Sequence, residues 1–437
     1  MGTSIAISPS RQIMRSRIAS LPALFIVLCV SASAFGDSRE VVRDIATLIE
    51  NNYFDVAKAQ QIAGTLRTAA RSGAFDESLP PRDLAVALTA RLRAHDQHFS
   101  VVWLQAPRAL PAPSAATGES REPFFGGQSY GFRRVEMLPG GIGYIDMRSF
   151  SYFSFAKPDD RARLAADAAL QLISESSAVI LDLRNNIGGY PEMVGYLISA
   201  FTPPDANIFN VVHRRDGIES ERPKQHYPHP RTTVPLYVLV SGSTASAAES
   251  AAYTLQAAKR AVIVGERTSG AANPGGMFPV RDGFNVFISI GTPINPITGT
   301  NWEGRGVEPD VRVSSEQALQ RAQQLALESL QAGGSRAAAL EFRWASEALL
   351  AEITPVTVPL TEYKGTYGEA VIALSNDALQ LRRGRRPVQA LTPLRVDHFF
   401  VAGEPSQRVV FERNAADKII GFQLLRASGY SIWFPRR

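Results

Sequence analysis

The chain has 437 residues, of which 45% are hydrophobic and 20% charged. That is a globular composition, and it excludes disorder, collagen and coiled coil for the bulk of the chain. A single cysteine excludes an intrachain disulfide and a cysteine-based zinc site. The formal net charge of +5 invites a polyanion or a membrane as partner, so where the excess sits decides what it means.

It sits largely at the start. Residues 1–34 hold Arg11, Arg15 and Arg17 and no acid, then an apolar stretch from Leu21 to Val30, then Ser31-Ala32-Ser33-Ala34. A basic, apolar, small-residue order predicts a secretory signal cut after Ala34. The apolar stretch is short of the roughly 20 residues that a membrane span needs. An uncleaved anchor is the alternative, and bulky Leu28 before Cys29 argues against a lipoprotein. Export to the periplasm or the exterior is therefore expected. The chain without this segment carries +2 and no cysteine, which suits an oxidising compartment. No basic–aromatic stripe follows and no later run approaches 18 apolar residues. Neither a nucleic-acid partner nor membrane contact beyond the signal is expected.

Three helices are predicted next, at about 38–50, 56–72 and 81–94, from apolar positions such as Val42, Ile45, Ile49 and Leu84, Leu88, Leu92. Pro80 and Pro81 start the third. They read as a helical cap over 35–104. A polar stretch, about 105–127, precedes an α/β core taken to span 105–338. Its strands are expected at Ser129–Val135, Ile142–Met147, Ala178–Leu183, Leu236–Ser241, Ala261–Glu266 and Asn285–Ile290. Its helices are expected at 156–176, 190–201 and 244–258. Apolar runs such as AVILDL and LYVLVS, each leading through a small-residue turn into a helix, indicate a sheet buried on both faces. Helical stretches at 314–331 and 340–351 follow. Beyond about 356, eight short β-like runs from YKGTY to YSIWF recur about every ten residues. They predict a small all-β, barrel-like domain within 339–437, with Tyr363, Tyr367, Phe399, Phe400, Phe411 and Trp433 filling it. The cluster Arg382-Arg383-Gly384-Arg385-Arg386 reads as a solvated hairpin tip.

Four features bear on chemistry. Ser246 follows a buried strand and begins a helix, where backbone N–H groups can stabilise an oxyanion. Ser246-x-x-Glu249 is equally a capping box, which needs no function. The turn Asp182-Leu-Arg-Asn-Asn-Ile-Gly188-Gly189 can bring a second backbone donor close, or can simply be a tight turn. It has neither G-x-G-x-x-G nor GK[ST], so it is not a phosphate loop. Glu303, beside Trp302 and Gly304, can orient an imidazole or serve a salt bridge. His98 on its own reads as structural. Lys259 lies at the far end of the helix that Ser246 begins, and the turn Gly265–Ala271 holds no lysine, so no Ser–Lys dyad is in reach. His226 and His229 lack a nearby carboxylate, and His213 and His398 sit in strand-like runs. No metal and no cofactor is expected.

Together, DLRNNIGG, SGSTASAAES, VGERTSG and WEGRGVEPD, in that order, resemble the S41 peptidase family. The HDQHFSV segment and the absence of a lysine resemble its tricorn core and interphotoreceptor retinoid-binding protein subset. The resemblance implies an α/β core with a ClpP/crotonase-like sheet. It implies Ser246 as nucleophile, His98 as general base, Glu303 as the acid of the relay, and Gly188 or Gly189 with Ala247 as the oxyanion hole. Ala271 stands where the processing-protease subset has its catalytic lysine. Gln97 replaces the serine that precedes the histidine in the tricorn-like pattern, and would relay by hydrogen bonding. The expected reaction is peptide hydrolysis on a peptide or unfolded protein. With no perturbation, His98 would titrate near ~6.5. The sequence leaves no room for a PDZ module. The alternative is a weakly active or inactive protein binding an apolar ligand or peptide between cap and core.

Overall fold

The computed structural model describes residues 38–75, 79–104, 129–333 and 336–437, with the backbone alone at 336–338. The expected signal at 1–34 and the polar stretch at about 105–127 lie outside the described residues.

The chain begins with α1 (Ser38–Asn52), α2 (Val56–Arg71) and α3 (Pro81–Arg93), followed by β1 (Ser100–Trp103). The Asp55 side chain caps α2 by accepting from the Lys58 N–H at 3.0 Å, and proline at the first position starts α3. Next come β2 (Phe132–Leu138), β3 (Ile142–Met147), α4 (Arg161–Leu172), β4 (Ala178–Asp182), α5 (Pro191–Ser199), β5 (Val211–Arg214), β6 (Gly217–Ser220) and β7 (Leu236–Val240). They are followed by α6 (Ala247–Ala257), β8 (Val262–Gly265), β9 (Gly275–Pro279), β10 (Phe284–Ser289), β11 (Gly291–Ile294) and β12 (Val311–Arg312).

The central sheet has six strands in the order β12-β8-β7-β4-β3-β2. All neighbours are parallel except β2 with β3. Side-chain alternation divides each strand between two cores. Val179 and Leu181 of β4 face Ala166, Val194 and Ala251 of α4, α5 and α6. Ala178 and Ile180 face the opposite layer. That layer is α7 (Ala318–Gly333), backed by α8 (Arg336–Ile353). Burial on both faces is the arrangement that the continuous apolar runs called for.

A second sheet, β1-β10-β9, joins the helical cap to the core. β1 pairs antiparallel with β10, Ser100 opposite Phe287, and Phe284, Val286 and Ile288 share one core with Ile45, Leu66 and Leu88. Packing is therefore continuous across residue 104. This pairing fixes the turn between α3 and β1, which carries His98.

The last part of the chain is an eight-stranded antiparallel meander. Its strands are β13 (Gly365–Tyr367), β14 (Ala370–Ser375), β15 (Ala378–Arg383), β16 (Gln389–Arg395), β17 (His398–Val401), β18 (Glu404–Arg413), β19 (Ile419–Arg426) and β20 (Ser431–Pro435). Its ends meet. Tyr367 bridges Arg436, and the Gly368 N–H donates to the Pro435 carbonyl at 2.8 Å. The interior is filled by stacked and edge-on rings of Tyr363, Tyr367, Phe399, Phe411, Phe422 and Phe434. Two expected core residues lie elsewhere. Phe400 points away from Phe399 and packs on Ala348 and Ala351 of α8, and Trp433 is 41% exposed. Strand alternation accounts for both, since each neighbours an inward-facing phenylalanine.

Candidate active site

Parallel strands β4 and β7 lie side by side, so the turns after their C-terminal ends meet, the usual place for a site in such sheets. The Ala245 N–H donates to the Asn186 carbonyl at 3.1 Å. Thr244 Oγ1 donates to the Leu183 carbonyl at 2.8 Å, and Ser241 Oγ donates to the Arg184 carbonyl. Ser246 stands at the head of α6, partly exposed, with φ 54° and ψ −122°. A non-glycine residue in that region costs about 1–3 kcal/mol and persists only where its surroundings hold it.

Glu249 supplies much of that hold. Its side chain is fully buried. One oxygen accepts from the Ser246 N–H at 2.9 Å and the Ala271 N–H at 2.8 Å. The other accepts from the Gly270 N–H at 2.7 Å and from the Thr268 hydroxyl. Burial pushes this carboxyl up, against the pull of Thr268 and the three amides. The next two amides in the same segment, Ala272 and Asn273, donate to Glu303 Oε2 at 2.7 and 3.1 Å. One short stretch of backbone thus bridges the carboxylate under Ser246 and the carboxylate beside His98.

His98 is enclosed, its side chain 11% exposed. Its Nδ1 lies 3.6 Å from Glu303 Oε2 and 3.3 Å from Asp96 Oδ1, and both ring nitrogens are buried without a formed hydrogen bond among the described residues. The ring stacks on Phe287 of β10 at 6.0 Å between centroids. Burial opposes a charge on the imidazole, but the hydrogen-bonding and charge of Asp96 and Glu303 outweigh it and raise its pKa to about 9. The expected value near 6.5 is corrected accordingly. No hydrogen bond joins Ser246 to His98 among the described residues. Catalytic contacts are often long before substrate binds.

The other expected residues divide. Gly188 packs directly on the serine: a Cβ built there would stand 2.8 Å from Ser246 Cβ. However, its N–H is already donated to Asn186 Oδ1 at 2.9 Å, so it is not a free donor. The Gly189 and Ala247 N–H groups carry no hydrogen bond among the described residues. Gln97 is exposed, with no hydrogen bond to the His98 ring among the described residues. Between buried Asp96 and His98, its side chain falls on the outer side of the turn.

Asp96 is the residue that sequence reasoning missed. Its side chain is 1% exposed and accepts from the His98 N–H at 2.8 Å, Tyr53 Oη at 3.2 Å and Asn273 Nδ2 at 3.1 Å. Burial works against its charge, but His98 and Ser289 more than compensate and lower its pKa to about 2. The Asp-x-His spacing was the available signal, since an aspartate readily accepts from the N–H two residues on. Asp96, His98 and Glu303 each offer a ligand atom within 4.8 Å of the others. Asp96 Oδ1 and Glu303 Oε2, the oxygens nearest the ring, already accept from backbone N–H groups.

Residues 141–313 match the model of Peptidase family S41. The chain is 30% identical over 184 residues to Carboxyl-terminal-processing peptidase 1, chloroplastic, of Arabidopsis thaliana, covering 42% of this chain and 36% of that protein. It is 34% identical over 154 residues to the Carboxyl-terminal-processing protease of Synechocystis, covering 35% of this chain and 34% of that protein. The matches thus span about a third of these relatives' own length. Among solved structures, a lipoprotein from Streptococcus agalactiae aligns at 19% identity over 67% of this chain and 97% of its own, with a TM-score of 0.45. Over residues 141–313 the α/β core is thus similar to peptidase family S41.

Proposed function

We propose that the chain is an exported serine peptidase in which Ser246 attacks a peptide carbonyl and His98 is the general base. The observation that carries this reading is the buried imidazole of His98, with two carboxylate oxygens within 3.6 Å of Nδ1 and no charged partner at Nε2 among the described residues. Nδ1 then keeps its proton and Nε2 is left to take the one from Ser246. Family likeness alone does not supply the base, because His98 lies outside the matched residues 141–313.

In this mechanism Ser246 Oγ bonds to the carbonyl carbon as its proton passes to His98 Nε2. The oxyanion is received by the Gly189 and Ala247 N–H groups. His98 returns the proton to the departing amine, leaving an acyl-serine that water hydrolyses. Glu303 holds the imidazole and stabilises its cation. The segment 265–271 contains no lysine, which sets a Ser–Lys mechanism aside. The basic and apolar start of the chain supports export, and no helix among the described residues is long and apolar enough to cross a membrane.

A fluorophosphonate should label the protein covalently, and Ser246→Ala should abolish both labelling and hydrolysis of a peptide-amide panel. Equal labelling of the two forms would sink the assignment. Thermal stabilisation by apolar ligands, with no turnover in either form, would favour the binding-protein alternative.

A further inference from the structure

The relay implied by sequence has one acid, yet the structure places two at the same nitrogen. Asp96 Oδ1 is nearer to His98 Nδ1 than Glu303 Oε2 is, at 3.3 against 3.6 Å. Asp96 is also the more enclosed, 1% exposed against 23%. The two reach the ring from opposite parts of the chain. Glu303 comes from the loop before β12, held by the Ala272 and Asn273 amides. Asp96 comes from the histidine's own turn, two residues back.

We propose that Asp96 is a positioning residue for the catalytic imidazole, sharing the Nδ1 proton of His98 with Glu303. The inference rests on the peptidase reading above. The Asp96 side chain is fixed from both sides. Tyr53, just beyond α1, and Asn273 hold Oδ2, while the His98 N–H holds Oδ1. The oxygen that accepts from the His98 backbone also faces its ring, so one contact sets the turn and the other restricts the imidazole to an orientation with Nδ1 inward. Glu303 alone would leave the ring beside a single, partly exposed carboxylate at 3.6 Å. The groups facing the pair are accounted for. Asp96 and Glu303 are the two anions at His98, Tyr53 is a neutral phenol whose ionisation burial and Asp96 oppose, Asn273 is a neutral donor, and Ser289 is a neutral hydroxyl.

Two acids on one proton predict a graded loss. Replacing the only acid of a serine triad costs about 10⁴-fold in kcat. Asp96→Asn should instead cost about 10- to 100-fold, because Glu303 remains, and the Asp96→Asn/Glu303→Gln double variant should approach the full loss. The pH midpoint of kcat/KM should fall in each single variant and fall furthest in the double one, to below the ordinary value near ~6.5, because burial then acts unopposed. Purely structural use of Asp96 would lower the melting temperature and leave that midpoint in place. Asp96→Ser, which still caps the His98 N–H, covers the case in which the amide mispacks. Glu303→Gln reads the same question in a chain with Asp96 intact: a single-acid relay predicts a midpoint no higher than ~6.5, and the shared relay predicts one clearly above it. Wild-type kcat and an unmoved midpoint in Asp96→Asn, beside an inactive Ser246→Ala, overturn this inference alone. Full turnover in Ser246→Ala overturns the peptidase reading and this inference with it.

Discussion

Gly188 shows how little space surrounds Ser246, the proposed nucleophile. Its φ is +109°, and a Cβ there would lie 2.8 Å from Ser246 Cβ and 3.1 Å from the Ala247 nitrogen. Gly188→Ala must therefore displace the serine or the amide behind it, and the backbone strain adds about 1–3 kcal/mol. Activity should fall at least ~100-fold, with a lower melting temperature; a fluorophosphonate labelling rate equal to wild type would contradict this. His98 makes a second prediction at this scale. Its pKa in the folded chain is raised, so the stability it lends is full below the unfolded value near ~6.5 and is lost as pH passes about 9. With the neutral imidazole as the proposed base, kcat/KM should rise with a midpoint near 9, while the melting temperature falls progressively between ~6.5 and that pH. A rate that plateaus by pH 7 would show that the carboxylates do not hold the charge. Ser246, His98 and Glu303 stand out as candidates in the sequence because each sits in a distinctive local string. Asp96 was not legible, since its role depends on Tyr53 and Asn273, 43 and 177 residues away. The same holds for the Gly188 amide, which only the folded turn shows to be taken by Asn186.

Between elements, the decisive joint is the one Glu249 makes. It begins as a capping residue of α6 and ends as the anchor of the segment after β8, receiving the Ser246, Gly270 and Ala271 amides and the Thr268 hydroxyl. Glu249→Ala leaves these donors buried and unpaired, each at about 1–3 kcal/mol. Partial relaxation should bring the net loss to roughly 3–5 kcal/mol, with activity down at least ~100-fold at temperatures where the variant is still folded. Denaturant unfolding followed by kinetics on the folded fraction separates the two effects. An active variant that is merely less stable would show that the segment keeps its place without Glu249. The capping box was readable in sequence, but its second use was not, because that depends on β7 and β8 being neighbours. Long elements were legible for a related reason. β3, β4 and β7 are unbroken apolar runs, and the eight strands of the C-terminal meander alternate between turns. Short β1, β9 and β11 carry no such pattern of their own. They exist because a partner strand pairs with them.

Across the whole molecule, the closed C-terminal barrel is attached through α8, and Arg408 is the centre of that attachment. Its side chain is 3% exposed. The guanidinium lies 4.8 Å from the Trp344 ring centre and 5.7 Å from that of Phe400. It donates to the Trp344 and Pro405 carbonyls at 2.5 and 2.6 Å, and Glu347 is 3.7 Å away. Burial pulls its pKa down to about 10, with Glu347 opposing. Phe400, turned outward from the barrel, completes the contact with Ala348 and Ala351. Arg408→Ala removes the stacking on Trp344, the bond to the Trp344 carbonyl and the partner of Glu347, at a cost of about 3 kcal/mol to docking. Lysine should not restore it, because an ammonium cannot stack flat between two rings while reaching two carbonyls. None of these contacts involves Ser246, His98 or Glu303, and the barrel interior is filled by its own aromatic rings. Calorimetry of Arg408→Ala should therefore show a barrel transition separating to lower temperature, while kcat/KM on a small peptide amide stays within about twofold of wild type. If that rate falls with the docking contact, the barrel must act on the site through α7, which packs beneath β4 and β7, and its attachment would be part of catalysis.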